Sequence, residues 1–152
     1  MAKNTIILKN YLNVFMEKDV SEAMTPGMLV EYTTTAEEIK KHATADGAVA
    51  PIMFIIENAL EGEGIDDAYA DGDKARVWYP TRGDNVYALI EDGEDIAVGD
   101  LLVSAGNGKL KEREGASDGE VPRSVVAVAL EALDLTSSSG AETTYRCEVE
   151  IV

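Results

Sequence analysis

Residues 69–110 read YADGDKARVWYPTRGDNVYALIEDGEDIAVGDLLVSAGNGKL, and three Gly-Asp pairs divide this stretch into short runs. Glycine reaches the positive φ values that tight turns require, and an aspartate side chain can bond the backbone two residues further on, so each pair predicts a turn. The runs that follow have strand length and β-branched or aromatic content. The pairs are 72–73, 83–84 and 99–100, and the runs are 74–79, 85–90 and 101–104. The stretch therefore predicts a small β-barrel or sandwich, and it contains no group of residues typical of catalysis.

Further strands are predicted on both sides of this stretch. Residues 143–152 alternate apolar and polar side chains and give the clearest half-buried strand. Residues 28–32 follow a Pro-Gly turn and residues 48–58 are the most apolar run, so each predicts a strand. In residues 124–133 the alanines and leucines allow a short helix, but the three valines favour a strand. Residues 36–47 can form a turn of helix or a loop. The fold class is therefore mainly β, with about eight strands and at most short helices.

The N-terminal residues 3–16 are rich in apolar side chains and contain no Gly or Pro, but neither the helical nor the strand period fits them. A helix and an extended arm are both consistent with the pattern. Terminal residues stay mobile unless something holds them, so this terminus needs a surface of its own domain or of another chain. We therefore divide the chain into an N-terminal arm and linker at 1–24 and a single β-rich domain at 25–152.

Composition limits the partners that the chain can bind. Its 152 residues suit one domain with its own core, and its formal net charge is −16, from 29 acidic and 13 basic residues. This excess argues against nucleic acid and against anionic membranes, because both require Lys and Arg opposite phosphates. Either the charge serves solubility alone, or the chain meets a partner with a basic face. Since no signal-peptide core or membrane-length apolar run is found, we expect a protein made and kept in a cytoplasm.

Residues suited to catalysis or metal binding are sparse. His42 is the single histidine and Cys147 the single cysteine, so one chain offers neither a two-histidine metal site nor a disulfide. We expect His42 at the surface and Cys147 buried in a strand. The aspartates at 66–73 invite comparison with a calcium loop, but Tyr69 and Trp78 stand where an EF-hand needs ligands. No phosphate-binding loop is present, and we expect no enzyme activity, no cofactor and no bound metal.

Three motifs point to a known family. Residues 57–73 contain E-N-x-L-x-G-x-G-I-D-D-A-Y-x-x-G-D, residues 83–89 contain G-D-x-V-Y-A-L, and residues 99–110 contain G-D-x-L-x-S-A-G-x-G-x-L. Through these motifs the greater, C-terminal part of the chain resembles the capsid decoration (cement) proteins of tailed bacteriophages. Residues 1–45 match that family less well.

The resemblance implies a β-tulip-like or small-barrel domain that sits as homotrimers on the outer surface of an expanded icosahedral head and stabilises it. It also implies a virion location, synthesis in the cytoplasm of a bacterial host, the major capsid protein as partner, and no catalytic residues. The N-terminal arm is then expected to add to a sheet edge on the coat protein. The residues predicted for this arm are Thr5, Ile6, Ile7, Leu8, Tyr11, Leu12, Val14 and Phe15.

A second predicted contact surface lies on the strand at residues 74–79 and the turn after it. Trp78 and Tyr79 point to opposite sides of that strand, so one is expected in the core and the other towards an interface or solvent. The residues predicted for a trimer or capsid interface are Trp78, Tyr79 and Arg82.

Two other functions fit parts of the sequence. Residues 98–110 look like the turn of a barrel-sandwich binding module, although the modifiable lysine of carrier domains is missing. The acidic cluster at 66–73 suggests either an enzyme that uses a bound metal or a metal-binding domain with a receptor or carbohydrate-binding role. A calorimetric titration with Ca²⁺ or Mg²⁺ would separate this last hypothesis from the others.

Overall fold

The computed structural model describes residues 2–115, 124–137 and 145–152. These residues form thirteen strands, and no helix occurs among them. The strands are β1 Ile7–Lys9, β2 Phe15–Val20, β3 Val30–Tyr32, β4 Glu38–Lys41, β5 Phe54–Ile55, β6 Lys74–Trp78, β7 Asn85–Leu89, β8 Asp95–Ile96, β9 Leu101–Ser104, β10 Leu110–Glu112, β11 Ala127–Ala129, β12 Leu133–Asp134 and β13 Arg146–Ile151. The predicted mainly β class is confirmed.

The short helices that we expected do not occur in the described ranges. Where residues 36–47 could have formed a helical turn, β4 instead pairs antiparallel with β3 and parallel with β2. Helix propensity is a weak preference, and pairing with two strands overrides it. Three predicted strands are also shorter than expected: those at 28–32, 48–58 and 124–133 contribute β3, β5 and β11.

Two larger sheets and one small ribbon make up the fold. The six-stranded sheet has the order β1-β7-β13-β11-β9-β10, the five-stranded sheet has the order β3-β4-β2-β6-β5, and β12 pairs with β8. Additional backbone bonds link the outer parts of each sheet: Ile55 N–H donates to the Met28 carbonyl at 3.1 Å, and Glu91 N–H donates to the Leu110 carbonyl at 2.8 Å. The strand orders are those of open sheets, and a closed barrel or tulip stays a prediction.

The apolar side chains form two buried clusters. The larger cluster packs under the six-stranded sheet and includes Trp78, Phe54 and Val149. The smaller cluster includes Val77 and Met24 and belongs to the five-stranded sheet. Val77 and Trp78 are neighbours on β6 but belong to different clusters, because successive side chains on a strand point to opposite faces. Strand β6 is therefore shared by both clusters and couples the two sheets.

The three Gly-Asp pairs form turns of one kind. In each turn the glycine has a positive φ, between 86° and 95°. Each aspartate Oδ2 accepts a hydrogen bond at 2.7 Å from the backbone N–H three residues earlier: Ala70 to Asp73, Thr81 to Asp84, and Ala97 to Asp100. The turns are confirmed, but we predicted a bond to the backbone two residues further on, and the bond runs backwards along the chain instead.

The N-terminal residues contribute to both sheets. Strand β1 pairs with β7, and β2 pairs with β6 along residues 15–19. Ile6 is fully buried in the larger cluster, and its backbone N–H donates to Oε2 of Glu57 at 3.1 Å. The extended alternative for residues 3–16 is thus the observed one, and much of the segment lies against its own domain.

Two buried polar side chains hold distant parts of the chain together. Arg146 donates to the Pro26 carbonyl from Nε at 3.3 Å and to Oδ1 of Asp66 from NH1 at 2.7 Å. His42 is 2% exposed, so the prediction of a surface histidine is wrong. Its Nδ1 lies 2.7 Å from Oγ of Ser104, and its Nε2 lies 3.1 Å from the Ala48 carbonyl. A carbonyl can only accept, so Nε2 carries a proton in this arrangement.

Candidate functional site

Several large apolar side chains are exposed in the stretch that follows β1 and includes the first two residues of β2. Residues 11–16, here called the apolar segment, include five large side chains that are exposed by between 37% and 66%. These side chains are Tyr11, Leu12, Val14, Phe15 and Met16. Exposed large apolar side chains so close together in the sequence make the apolar segment a candidate contact surface.

Asp84 fixes the start of the apolar segment to the body of the protein. Its carboxylate is fully buried: Oδ2 accepts from the N–H and hydroxyl of Thr81, at 2.7 and 3.1 Å, and Oδ1 accepts from the Tyr11 N–H at 2.8 Å. A buried carboxylate loses its hydration, and these three donors replace it. The turn and the segment are thereby held by opposite oxygens of one side chain.

Further contacts hold the rest of the apolar segment in place. The Tyr79 N–H donates to the Val14 carbonyl at 3.0 Å, which continues the β2–β6 ladder beyond β2. The Arg76 guanidinium lies 5.6 Å from the centre of the Phe15 ring, within the range of a cation–π interaction. The segment is therefore exposed through its side chains while its backbone is anchored.

A tyrosine pair lies beside the segment. The hydroxyls of Tyr32 and Tyr79 are 2.6 Å apart, and burial together with this hydrogen bond raises the pKa of Tyr79 above its usual value. The Lys18 ammonium forms an ion pair with Glu37 and lies 5.7 Å from the centre of the Tyr32 ring. The Lys18 side chain is almost fully buried, and its charge is balanced by the Glu37 carboxylate at the surface.

The predicted contact residues are divided between surface and core. Tyr11, Leu12, Val14, Phe15 and Arg82 are exposed, and Thr5, Ile7, Leu8 and Tyr79 are half-buried. Ile6 and Trp78 are fully buried. These two side chains pack the core and present no surface to a partner in this conformation. Met16 and Tyr32 are exposed residues of the same region that the sequence did not point to, because no local pattern separates them from core residues.

Other features were considered as sites for small ligands. A cavity of about 220 Å³ is lined by residues that include Asn58, Glu63 and Lys74, and a groove of about 370 Å³ lies beside Asp100 and Glu112. Within the described part of the chain, no group of three or more His, Cys, Asp or Glu residues is arranged to hold a metal ion. The same residues include no helix with the length and apolar character needed to cross a membrane.

A serine, a histidine and a carboxylate do come together, but their burial does not suit catalysis. His42 bonds Ser104 through Nδ1, and its Nε2 lies 3.6 Å from Oε2 of Glu31. The Ser104 residue is 0% exposed, so a substrate cannot reach its hydroxyl. The Ser104 Oγ also accepts from the Gly106 N–H at 3.2 Å. The group therefore ties β9 and its following turn to β4.

Comparison with known proteins gives one informative likeness. No family model matches the sequence, and no curated protein matches it. In structure the chain is similar to the head fiber gp8.5 N base of bacteriophage phi29, with a TM-score of 0.56 and 17% sequence identity. The alignment covers 93% of this chain and 95% of that chain. At this identity the likeness shows a shared fold, and it extends over nearly the whole of both chains.

Proposed function

We propose that this protein is a structural component of a phage virion that binds the outer surface of the expanded head and stabilises it. The observation that supports the proposal is the fold likeness to the base of a phage head fiber along 93% of this chain. The motifs at 57–73, 83–89 and 99–110 support it independently, because they resemble those of capsid decoration proteins. Both lines of argument point to the surface of a phage head.

The apolar segment is the part of the chain that we assign to head binding. Its side chains are exposed, and its backbone is held by Asp84 and Tyr79. A contact surface that is already ordered loses less conformational entropy on binding than a mobile arm. Because Ile6 and β1 belong to the domain itself, we assign the contact to residues 11–16 and not to the whole of the predicted arm, which also included Thr5 to Leu8.

We further propose that the protein binds as a homotrimer, with Tyr79 and Arg82 near the contacts between copies or with the coat protein. Three linked copies would raise the occupancy of each site through effective concentration. Binding to the expanded shell and not to its precursor would stabilise the expanded state by mass action. The proposed role involves no catalysis, no cofactor, no nucleic acid and no membrane.

The test uses purified protein and phage heads that lack it, in expanded and unexpanded forms. Cryo-electron microscopy of the mixtures is expected to place added density around the three-fold axes of expanded heads alone. Absence of density on both forms would overturn the proposed function. Density on expanded heads that lacks three-fold grouping would leave head binding in place and overturn the trimer.

A further inference from the structure

Strand β2 pairs with β6 along nearly its whole length, but it pairs with β4 only at its C-terminal end. On the β6 side, residues 15–19 all have partners, from Phe15 opposite Trp78 to Asp19 opposite Lys74. On the β4 side, only Asp19 and Val20 have partners. The first half of β2, whose first two residues belong to the apolar segment, therefore has an open edge.

The observed hydrogen bonds show to which side of β2 each backbone N–H and C=O group points. In a strand, successive residues direct their N–H and C=O groups to opposite sides. The Val14 carbonyl accepts from Tyr79 on the β6 side, and the Asp19 N–H donates to the Glu37 carbonyl on the β4 side. Phe15 and Glu17 alternate with the residues that bond β6, as Asp19 does. Their N–H and C=O groups therefore point to the β4 side, which is open at these two residues. Among the described residues, we find no bond to these groups.

The fold itself prevents β4 from covering this edge. The chain before β4 turns back to β3 in a hairpin, in which the Thr33 N–H donates to the Glu38 carbonyl at 3.1 Å. Glu37, at the bend, has a φ of 65°, a left-handed conformation that redirects the backbone. Strand β4 therefore begins at Glu38, and no part of the hairpin continues along residues 15–17.

We propose that an extended segment of the coat protein adds to this open edge as a further strand beside the first half of β2. The inference rests on the proposed function and specifies how the head is bound: the partner supplies the strand and this chain supplies the edge. Main-chain bonds to Phe15 and Glu17 would give affinity, and side chains at alternate positions would set the register.

The chemistry around the edge defines the incoming strand. Leu12, Val14 and Met16 occupy alternate positions and are exposed, so the strand should carry apolar side chains at alternate positions. Glu17 is exposed, whereas the Glu37 carboxylate already pairs with Lys18. A Lys or Arg on the incoming strand would complement the Glu17 carboxylate. The occupant is thus an apolar strand with at least one basic residue.

The first test replaces Glu17 by proline. Proline has no backbone N–H, and at position 17 the lost N–H is the one that faces the open edge, so the bonds to β6 are kept. The matched control is Glu17→Gln, which removes the same charge but retains the N–H. We expect Glu17→Pro to bind expanded heads about tenfold or more weakly than Glu17→Gln.

The second test needs no variant, so it decides the matter if Glu17→Pro fails to fold. Amide hydrogen exchange of the unaltered protein is compared free and bound to expanded heads. Protection of the Phe15 and Glu17 amides on binding supports the inference. Binding without protection of these amides, or equal binding of both Glu17 variants, overturns it and leaves the proposed function intact. No binding of the unaltered protein overturns both.

Discussion

The turns at Gly83-Asp84 and Gly99-Asp100 have the same local structure but very different surroundings. Both glycines have φ values of 90° or more, and both aspartates accept a 2.7 Å bond from the N–H three residues earlier. Asp84 is fully buried, and its second oxygen binds the Tyr11 N–H. Asp100 lines an open groove, where Glu112 is also found. The motif therefore specifies a turn, and the partner of the second oxygen determines what the turn supports.

The electrostatic environments of the two turns differ accordingly. Around the second turn, partial desolvation and then the carboxylates of Asp100, Glu94 and Asp95 raise the pKa of Glu112. Around the first turn, an exposed aromatic side chain lies close by: the Tyr11 ring would be 3.4 Å from a Cβ added at Gly83, and the Lys9 ammonium lies 5.0 Å from the centre of that ring. One turn thus supports an apolar surface suited to a partner, and the other lies in an acidic, solvated region.

Removing the carboxylates of Asp84 and Asp100 should give the largest difference in stability between the two turns. Asp84→Ala leaves three donors without their acceptor in a buried place, so we expect it to lower the free energy of unfolding by about 3 kcal/mol. Asp100→Ala removes one exposed turn bond and should cost about 1 kcal/mol or less. Urea unfolding of both variants measures the difference. Equal losses would contradict the special role of Asp84.

The glycines should behave alike, in contrast to the aspartates. Gly83→Ala and Gly99→Ala both force a side chain into a left-handed conformation, which costs about 1–2 kcal/mol. An added Cβ at Gly83 would lie 3.4 Å from the Tyr11 ring, an ordinary contact, and one at Gly99 would meet open space. Thermal unfolding should therefore give similar losses for both. A much larger loss at Gly83 would show that the Tyr11 ring cannot adjust.

Neutralising Glu112 in the acidic groove should have the smallest effect on stability, and the size of this effect should depend on pH. The pKa of Glu112 is raised in the folded state, so ionisation of this group weakens folding as pH rises through its unfolded value of 4.5 towards the folded value. Glu112→Gln should then raise the melting temperature at pH 7 by less than about 2 °C, because the side chain is exposed. The gain should vanish well below pH 4.5. If the melting temperature of Glu112→Gln stayed higher well below pH 4.5, ionisation of Glu112 would not be the cause of the gain.

The parts of the fold that the sequence predicted are those with local signals. Strands β6, β7 and β9 follow Gly-Asp turns, and β13 alternates over its length, with the apolar residues Cys147 and Val149 buried. Arg146 departs from that alternation and is buried, since its partners at Pro26, Ile65 and Asp66 are far away in sequence. A pattern among neighbouring residues in the sequence does not reveal such distant partners.

The candidate site depended even more on distant contacts. Strand β2 has the sequence FMEKDV, in which the buried Lys18 conceals the alternation because its charge is balanced by Glu37 from the turn before β4. His42 was misplaced for the same reason, as Ser104 lies 62 residues away. The apolar content of residues 3–16 predicted a contact surface, and which of these side chains are exposed depends on tertiary contacts such as the bond from the Tyr11 N–H to Asp84. Composition located the region, and tertiary contacts defined the surface.

The most direct test of the account compares head binding by two variants that change exposed apolar side chains in different places. The first combines Leu12→Ser with Val14→Thr in the apolar segment, and the control is Leu60→Ser, where the original side chain is 81% exposed in a distant turn. Occupancy of expanded heads is counted by cryo-electron microscopy at matched protein concentrations. We predict a fall in affinity of about tenfold or more for the segment variant and no change for the control. Equal occupancy by both folded variants would contradict the assignment of head binding to residues 11–16.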